Sequence, residues 1–154
     1  MTQIQNPITR ADVVASARLW LETPYVHQAS CLGAGCDCLG LVRGVWRALY
    51  GGEPEQMPNY SADWAEAKGE ETLRDAAARS MQAVSVNDVQ PGDILLFRWR
   101  SHLPAKHVAI LTTSQRFIHA CEGLPVSEVS FSSWWRRRLA YAFKFPGVVD
   151  FIKD

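Results

Sequence analysis

The stretch from Gly33 to Tyr50 constrains the fold of this chain more than any other. Glycines at 33 and 35 lead into Asp37, a residue type that accepts the free N–H groups at a helix start, and the helical spacing begins at Cys38. Leu39, Val42, Trp46 and Leu49 recur at helical steps and are joined by Leu41, Val45 and Tyr50, so the pattern predicts a mostly buried helix. Gly40, Gly44 and Ala48 form a second ridge of small residues. Each interior glycine costs a helix about 1 kcal/mol relative to alanine. Close approach to another element, most simply a sheet, is the expected compensation.

This arrangement places the Cys38 thiol on the first turn of a helix. Free backbone N–H groups and the positive end of the macrodipole favour thiolate there, and thiolate is the nucleophilic form. Cysteine is also often just a small buried hydrophobe, so a catalytic role needs partners elsewhere in the chain.

The 154 residues suit one domain, 1–154, able to bury about 70% of its unfolded surface without a metal or disulfide staple. Sixteen basic and sixteen acidic side chains cancel, which argues against nucleic acid or an anionic membrane as the main partner. Residues 1–10 lack the cationic and apolar pattern of a secretory signal, and no run is long enough to span a membrane. The expectation is cytosolic synthesis, with Cys31, Cys36, Cys38 and Cys121 reduced. Action outside the cell would need another carrier.

Thr9 and Asp12 read as a capping box opening a helix whose stripe is Val13, Val14, Ala17, Trp20 and Leu21, ended by Pro24. A loop carrying Tyr25, His27, Gln28 and Cys31 leads to the Cys38 helix. Residues 52–82 read as a helical cover, with pieces at 61–67 and 70–81. Beyond Val84 the period changes to two, and strands are predicted at 94–97, 107–111, 116–121, 127–131 and 139–145. Helices first and mainly antiparallel strands second define an α+β domain.

A nucleophilic cysteine needs a base, and the base needs a group to orient it. His107 opens one strand and His119 lies near the end of the next. A hairpin centred on Thr113 with an odd-length loop would oppose the two rings on one face; a two-residue turn at Thr113 and Ser114 would put them on opposite faces.

Gly35-Cys36-Asp37-Cys38-Leu39-Gly40-Leu41, Pro91-Gly92-Asp93-Ile94-Leu95-Leu96-Phe97, Lys106-His107-Val108-Ala109-Ile110 and Phe117-Ile118-His119-Ala120 together resemble the successive signatures of NlpC-type (NlpC/P60) papain-like cell-wall cysteine peptidases. The likeness covers about residues 10–145, and the segment from Trp134 to Pro146 is similar to the short members associated with phage tails and gene-transfer agents. It implies a papain-like fold, Cys38 as nucleophile, His107 as base and His119 as its orienting partner, with no metal or organic cofactor. It further implies hydrolysis of a peptidoglycan stem peptide, typically between D-glutamate and a diamino acid. Carriage to the wall on a phage-like particle, with its assembly proteins as partners, is also implied. Tyr25 falls where the family places a hydroxyl lining the site. Asp37, Arg98, Arg100 and Lys106 complete the candidate substrate contacts, the last three as partners for stem-peptide carboxylates, although solvated loop charges are the simpler reading of them.

Three features depart from the family pattern. Glu22 and the pair His27-Gln28 stand where glycines are usual, and Leu39 replaces a small residue. Three other readings compete. The cysteines with His119 form a metal-ligand set, though at poor zinc spacing. A catalytically silent wall-binding or tail-assembly protein shares the expected fold, and a Cys-His amidase or acyltransferase shares the expected chemistry.

Overall fold

A computed structural model of the chain describes residues 7–54 and 71–150. The helix expected at 61–67 lies outside the described residues. Helix α1, Arg10–Arg18, starts on the anticipated capping box: the Asp12 N–H donates to Thr9 Oγ1 at 3.1 Å, and the Thr9 N–H to Asp12 Oδ2 at 2.9 Å. It stops earlier than the apolar stripe suggests, and Leu19 to Glu22 continue as turns. Trp20 is nevertheless buried.

The loop expected before Cys38 contains a short antiparallel ribbon, β1 (Ser30–Cys31) with β2 (Gly35–Cys36). Helix α2, Cys38–Tyr50, follows, capped by Asp37 and closed by Gly51 in the left-handed region at φ 82°. Its small-residue ridge has a different neighbour from the expected one. A Cβ on Gly40 would collide with the carbonyl oxygen of Ala29, and one on Gly44 with the Trp20 indole. The glycines admit a loop backbone and an aromatic ring rather than a sheet.

Helix α3, Thr72–Ser80, is the described part of the expected cover and turns Leu73 and Ala77 inward. Strands β3 (Gln82–Val84), β4 (Ile94–Phe97), β5 (His107–Thr113), β6 (Arg116–His119), β7 (Ser127–Ser130) and β8 (Leu139–Lys144) form one sheet in the order β3-β8-β4-β5-β6-β7. Every pairing in it is antiparallel. A short helix, α4 (Ser133–Arg136), connects β7 to β8.

Both faces of this sheet are covered, which is why its central strands read as continuous apolar runs rather than alternating ones. Ile94, Leu96, Val108, Ile110 and Ile118 pack with Val13, Ala17, Leu41 and Val45 on the helical side. Leu95, Phe97, Ala109, Leu111 and Phe117 pack with Phe131 and Trp135 on the other.

At the foot of the sheet Asp93, fully buried, receives Arg10 Nη1 at 2.7 Å and the Gln90 N–H at 2.8 Å. Arg10 also holds Asp150 through Nε at 2.6 Å. The Pro-Gly-Asp turn is thereby clamped to the start of α1.

Candidate active site

Asp37 builds the site from below. It is buried, its Oδ1 accepts the Gly40 N–H at 2.8 Å, and its Oδ2 accepts the Gln28 N–H at 2.7 Å. His27 Nδ1 stands 3.8 Å from the same Oδ2. Sequence alone groups Asp37 with the substrate contacts. The structure commits both of its oxygens to backbone donors, so it acts as cap and loop clamp that holds Cys38 in place.

The hairpin geometry matches neither of the two expected arrangements. Thr113 pairs with Arg116, leaving a two-residue turn at Ser114 and Gln115, but a bulge between Leu111 and Thr113 shifts the register to Leu111 opposite Phe117 and Ile110 opposite Ile118. Thr112 sits in the bulge, and its hydroxyl donates to Glu128 Oε2 at 2.7 Å. The extra residue restores the parity that the turn alone would break. Continuing that register, His119 lies opposite Ala109, so the histidines are diagonal neighbours on one face rather than directly opposed. His107 Nε2 lies 2.9 Å from His119 Nδ1, and both rings are buried.

The same register explains how a thiol from the helical layer reaches this place. The Leu111 N–H bonds Asp93 O, so alternate residues of β5 bond β4 and those between them face β6. Val108 faces β6 at a level where β6 has already ended at His119. Its freed N–H hydrogen-bonds the Cys38 sulfur, as does the N–H of Leu39, and the dipole of the Cys38 N–H lies close to it. The sulfur therefore lies against the backbone of the residue beside His107, and Cys38 is only partly buried.

Burial works here against the helix-end effect. Burial, with a smaller push from the Asp37 carboxylate, drives the Cys38 thiol up to about 12, against the pull of the three N–H groups. Burial, reinforced by His119, drives His107 well below its ordinary value, and burial alone does the same to His119. For all three groups burial favours the uncharged form. Tyr25 is pushed up to about 12, first by burial and then by the charges that Cys38 and Asp37 would carry, so its hydroxyl belongs to the same neighbourhood.

Arg98 and Lys106 are placed differently. Arg98 is engaged internally, with Nη1 3.3 Å from Glu71 Oε1 and 2.7 Å from Leu103 O, and Nη2 3.3 Å from the Tyr141 hydroxyl. Glu71 Oε2 also accepts the Ala105 N–H, so Arg98 braces the approach to His107. Lys106 is half-buried immediately before that histidine. His27 and His102 are exposed, as expected of loop residues.

Sequence reasoning misses the aromatic housing of the histidines. Trp99 stacks on His107 at 5.2 Å between ring centroids, Trp135 stacks on it at 5.8 Å, and Trp135 meets His119 edge-on at 5.4 Å. The tryptophan pair at 134 and 135, set just after the β7 strand pattern, is the signal that could have found it. Among the described residues no group of three or more His, Cys, Asp or Glu side chains is disposed to hold a metal ion, and no helix is long and apolar enough to cross a membrane.

A cysteine at the start of a buried helix, packed on an antiparallel sheet that presents a histidine pair, defines a papain-like α+β fold. Residues 22–142 match the NlpC/P60 family, and the chain belongs to it, a family of cysteine peptidases and peptidoglycan hydrolases. Among solved structures it is similar to the NlpC/p60 domain of the peptidoglycan hydrolase SagA, at 25% identity and TM-score 0.62 over 90% of this chain and 100% of that one. It is also similar to an NlpC/P60 family protein from Bacillus cereus, at 18% identity and TM-score 0.65 over 91% of this chain and 41% of that one. NlpC2 from Trichomonas vaginalis gives 21% identity and TM-score 0.60 over 93% and 49%. The chain spans less than half of these last two proteins, which share its fold. No curated protein matches it.

Proposed function

We propose that the protein is a cysteine peptidase that hydrolyses an amide bond in peptidoglycan stem peptides, the bond between D-glutamate and a diamino acid. The observation that carries this reading is the paired histidines, 2.9 Å apart, beside the strand residue whose N–H bonds the Cys38 sulfur. Family membership and the likeness to the SagA domain support the wall as target.

With Nε2 of His107 occupied by His119, Nδ1 is the ring nitrogen free to act as base. For Nδ1 to accept a proton, Nε2 must carry one and donate it to His119 Nδ1, which assigns the tautomers of both rings. His119 then orients His107 and shares the charge that develops on it. Burial favours the uncharged thiol and imidazole, so the proton passes from Cys38 to His107 to make the thiolate that attacks the scissile carbonyl. The Cys38 N–H, at the helix start, stabilises the oxyanion. His107 next protonates the departing amine and then takes a proton from the water that releases the acyl group.

Delivery to the wall on a phage-tail-like particle accompanies this proposal, supported by the resemblance of the segment from Trp134 to Pro146. The test is digestion of purified peptidoglycan by the protein and by Cys38→Ala, with fragments identified by mass. New stem-peptide ends with the unaltered protein alone are expected. No fragments from either would leave a wall-binding or assembly role, and equal fragments from both would remove Cys38 from the chemistry.

A further inference from the structure

Beside the histidines lies a cleft of about 700 Å³ between the β4–β5 connection and the turn from α4 into β8. Arg98, Arg100, Arg137 and Arg138 line it together with Trp99 and Trp134, and among the described residues no carboxylate side chain does. Two of the guanidiniums are fixed: Arg98 by Glu71 and Leu103 O, and Arg138 by donation to Trp134 O at 2.8 Å and by lying 3.6 Å over that residue's ring. Arg100 and Arg137 are exposed and, among the described residues, have no side-chain partner. Unopposed cations gathered in a concave site with aromatic walls suit a ligand that is anionic at one point and apolar beside it.

The position of the cleft says which part of a substrate it meets. Trp99 is both a wall of the cleft and the ring stacked on His107. In a cysteine peptidase the imidazole delivers its proton to the departing amine, so the residue on the amine side of the cleaved bond lies on the histidine side of the site. Tyr25, by contrast, belongs to the Cys38 side. We infer that the Trp99–Trp134 cleft binds the amine-side portion of the substrate, with Arg100 and Arg137 taking a free carboxylate of that portion. The inference rests on the peptidase reading and adds a requirement to it: substrates are selected for an anion on the leaving side.

Binding of the leaving fragment tests this without relying on turnover. The protein is titrated with lysyl-D-alanine as free acid and as C-terminal amide, following tryptophan fluorescence, and the titration is repeated with Arg100→Ala/Arg137→Ala. Both arginines are exposed and unpartnered, so the double variant should fold. The free acid is expected to bind about tenfold more tightly than the amide, in line with a charge-assisted contact at a partly exposed site, and the double variant should erase that difference. Equal affinity for acid and amide, or a difference that survives in the variant, overturns the inference. Displacement of the dipeptide by glycerol phosphate at lower concentration also overturns it, in favour of a phosphate polymer. If acid discrimination holds but peptidoglycan stays intact, the peptidase reading fails and the anion site stands. Digestion of peptidoglycan without acid discrimination upholds the peptidase reading and removes the anion site.

Discussion

Replacing Asp37 by Asn separates the two jobs this side chain performs. Asn caps a helix as well as Asp, so the Gly40 contact, 2.8 Å in the native protein, survives on the amide oxygen. The second oxygen becomes an NH2 group facing the Gln28 N–H, a bond of 2.7 Å in the native protein. One buried donor then loses its acceptor, which costs about 1–3 kcal/mol. A drop of about 2 kcal/mol in unfolding free energy is therefore expected from urea denaturation. Removing the carboxylate charge also removes one of the influences that raise the Cys38 thiol, so thiolate should form more readily. Alkylation by iodoacetamide at pH 8, mapped by peptide mass to separate Cys38 from the exposed Cys31, should run faster in the variant. Wild-type stability, or slower alkylation of Cys38 with the native circular dichroism spectrum retained, would refute this account of Asp37.

Other consequences can be measured in the same way. His107 and His119 bind protons less readily folded than unfolded, so below the ordinary histidine value of 6.5 the unfolded state gains protons first and stability falls as pH drops; urea midpoints between pH 7.5 and 4.5 should decline, less steeply in His119→Phe. Arg10→Met leaves the fully buried Asp93 carboxylate, among the described residues, with the Gln90 N–H alone and should cost about 3 kcal/mol in denaturant unfolding. Deleting Thr112 removes the bulge and turns His119 to the opposite face; wall-digesting activity should fall at least about 100-fold while far-ultraviolet dichroism persists. Glu22→Gly relieves a left-handed backbone at φ 72° and should raise stability by about 0.5 kcal/mol, read as a higher urea midpoint.

The parts of the fold legible in the sequence are those set by local chemistry. The capping box of α1, the Asp37 cap and the central strands all sit where residue types and period put them. Even the family departures have a local meaning, since Glu22 and Gln28, which stand where glycines are usual, both have positive φ. What escaped depends on distant parts of the chain. Gly44 faces the Trp20 indole, a neighbour that the spacing of α2 alone does not specify. The bulge at Thr112 has no turn signature, yet it decides whether the histidines share a face. Burial acts against the helix end at Cys38 because the sulfur meets the backbone of Val108 in the sheet, a contact no helical pattern reveals.

The central claim is that the Cys38 sulfur carries the acyl group during the reaction. Quenching the protein with acid during turnover of a stem peptide, then mapping it by peptide mass, observes this intermediate directly. The expected result is an adduct on the peptide containing Cys38, of the mass of the acyl portion, absent in Cys38→Ala and strongly reduced in His107→Ala. Efficient turnover with an acyl adduct on Cys31, Cys36 or Cys121 instead, or an undiminished Cys38 adduct in His107→Ala, would contradict it.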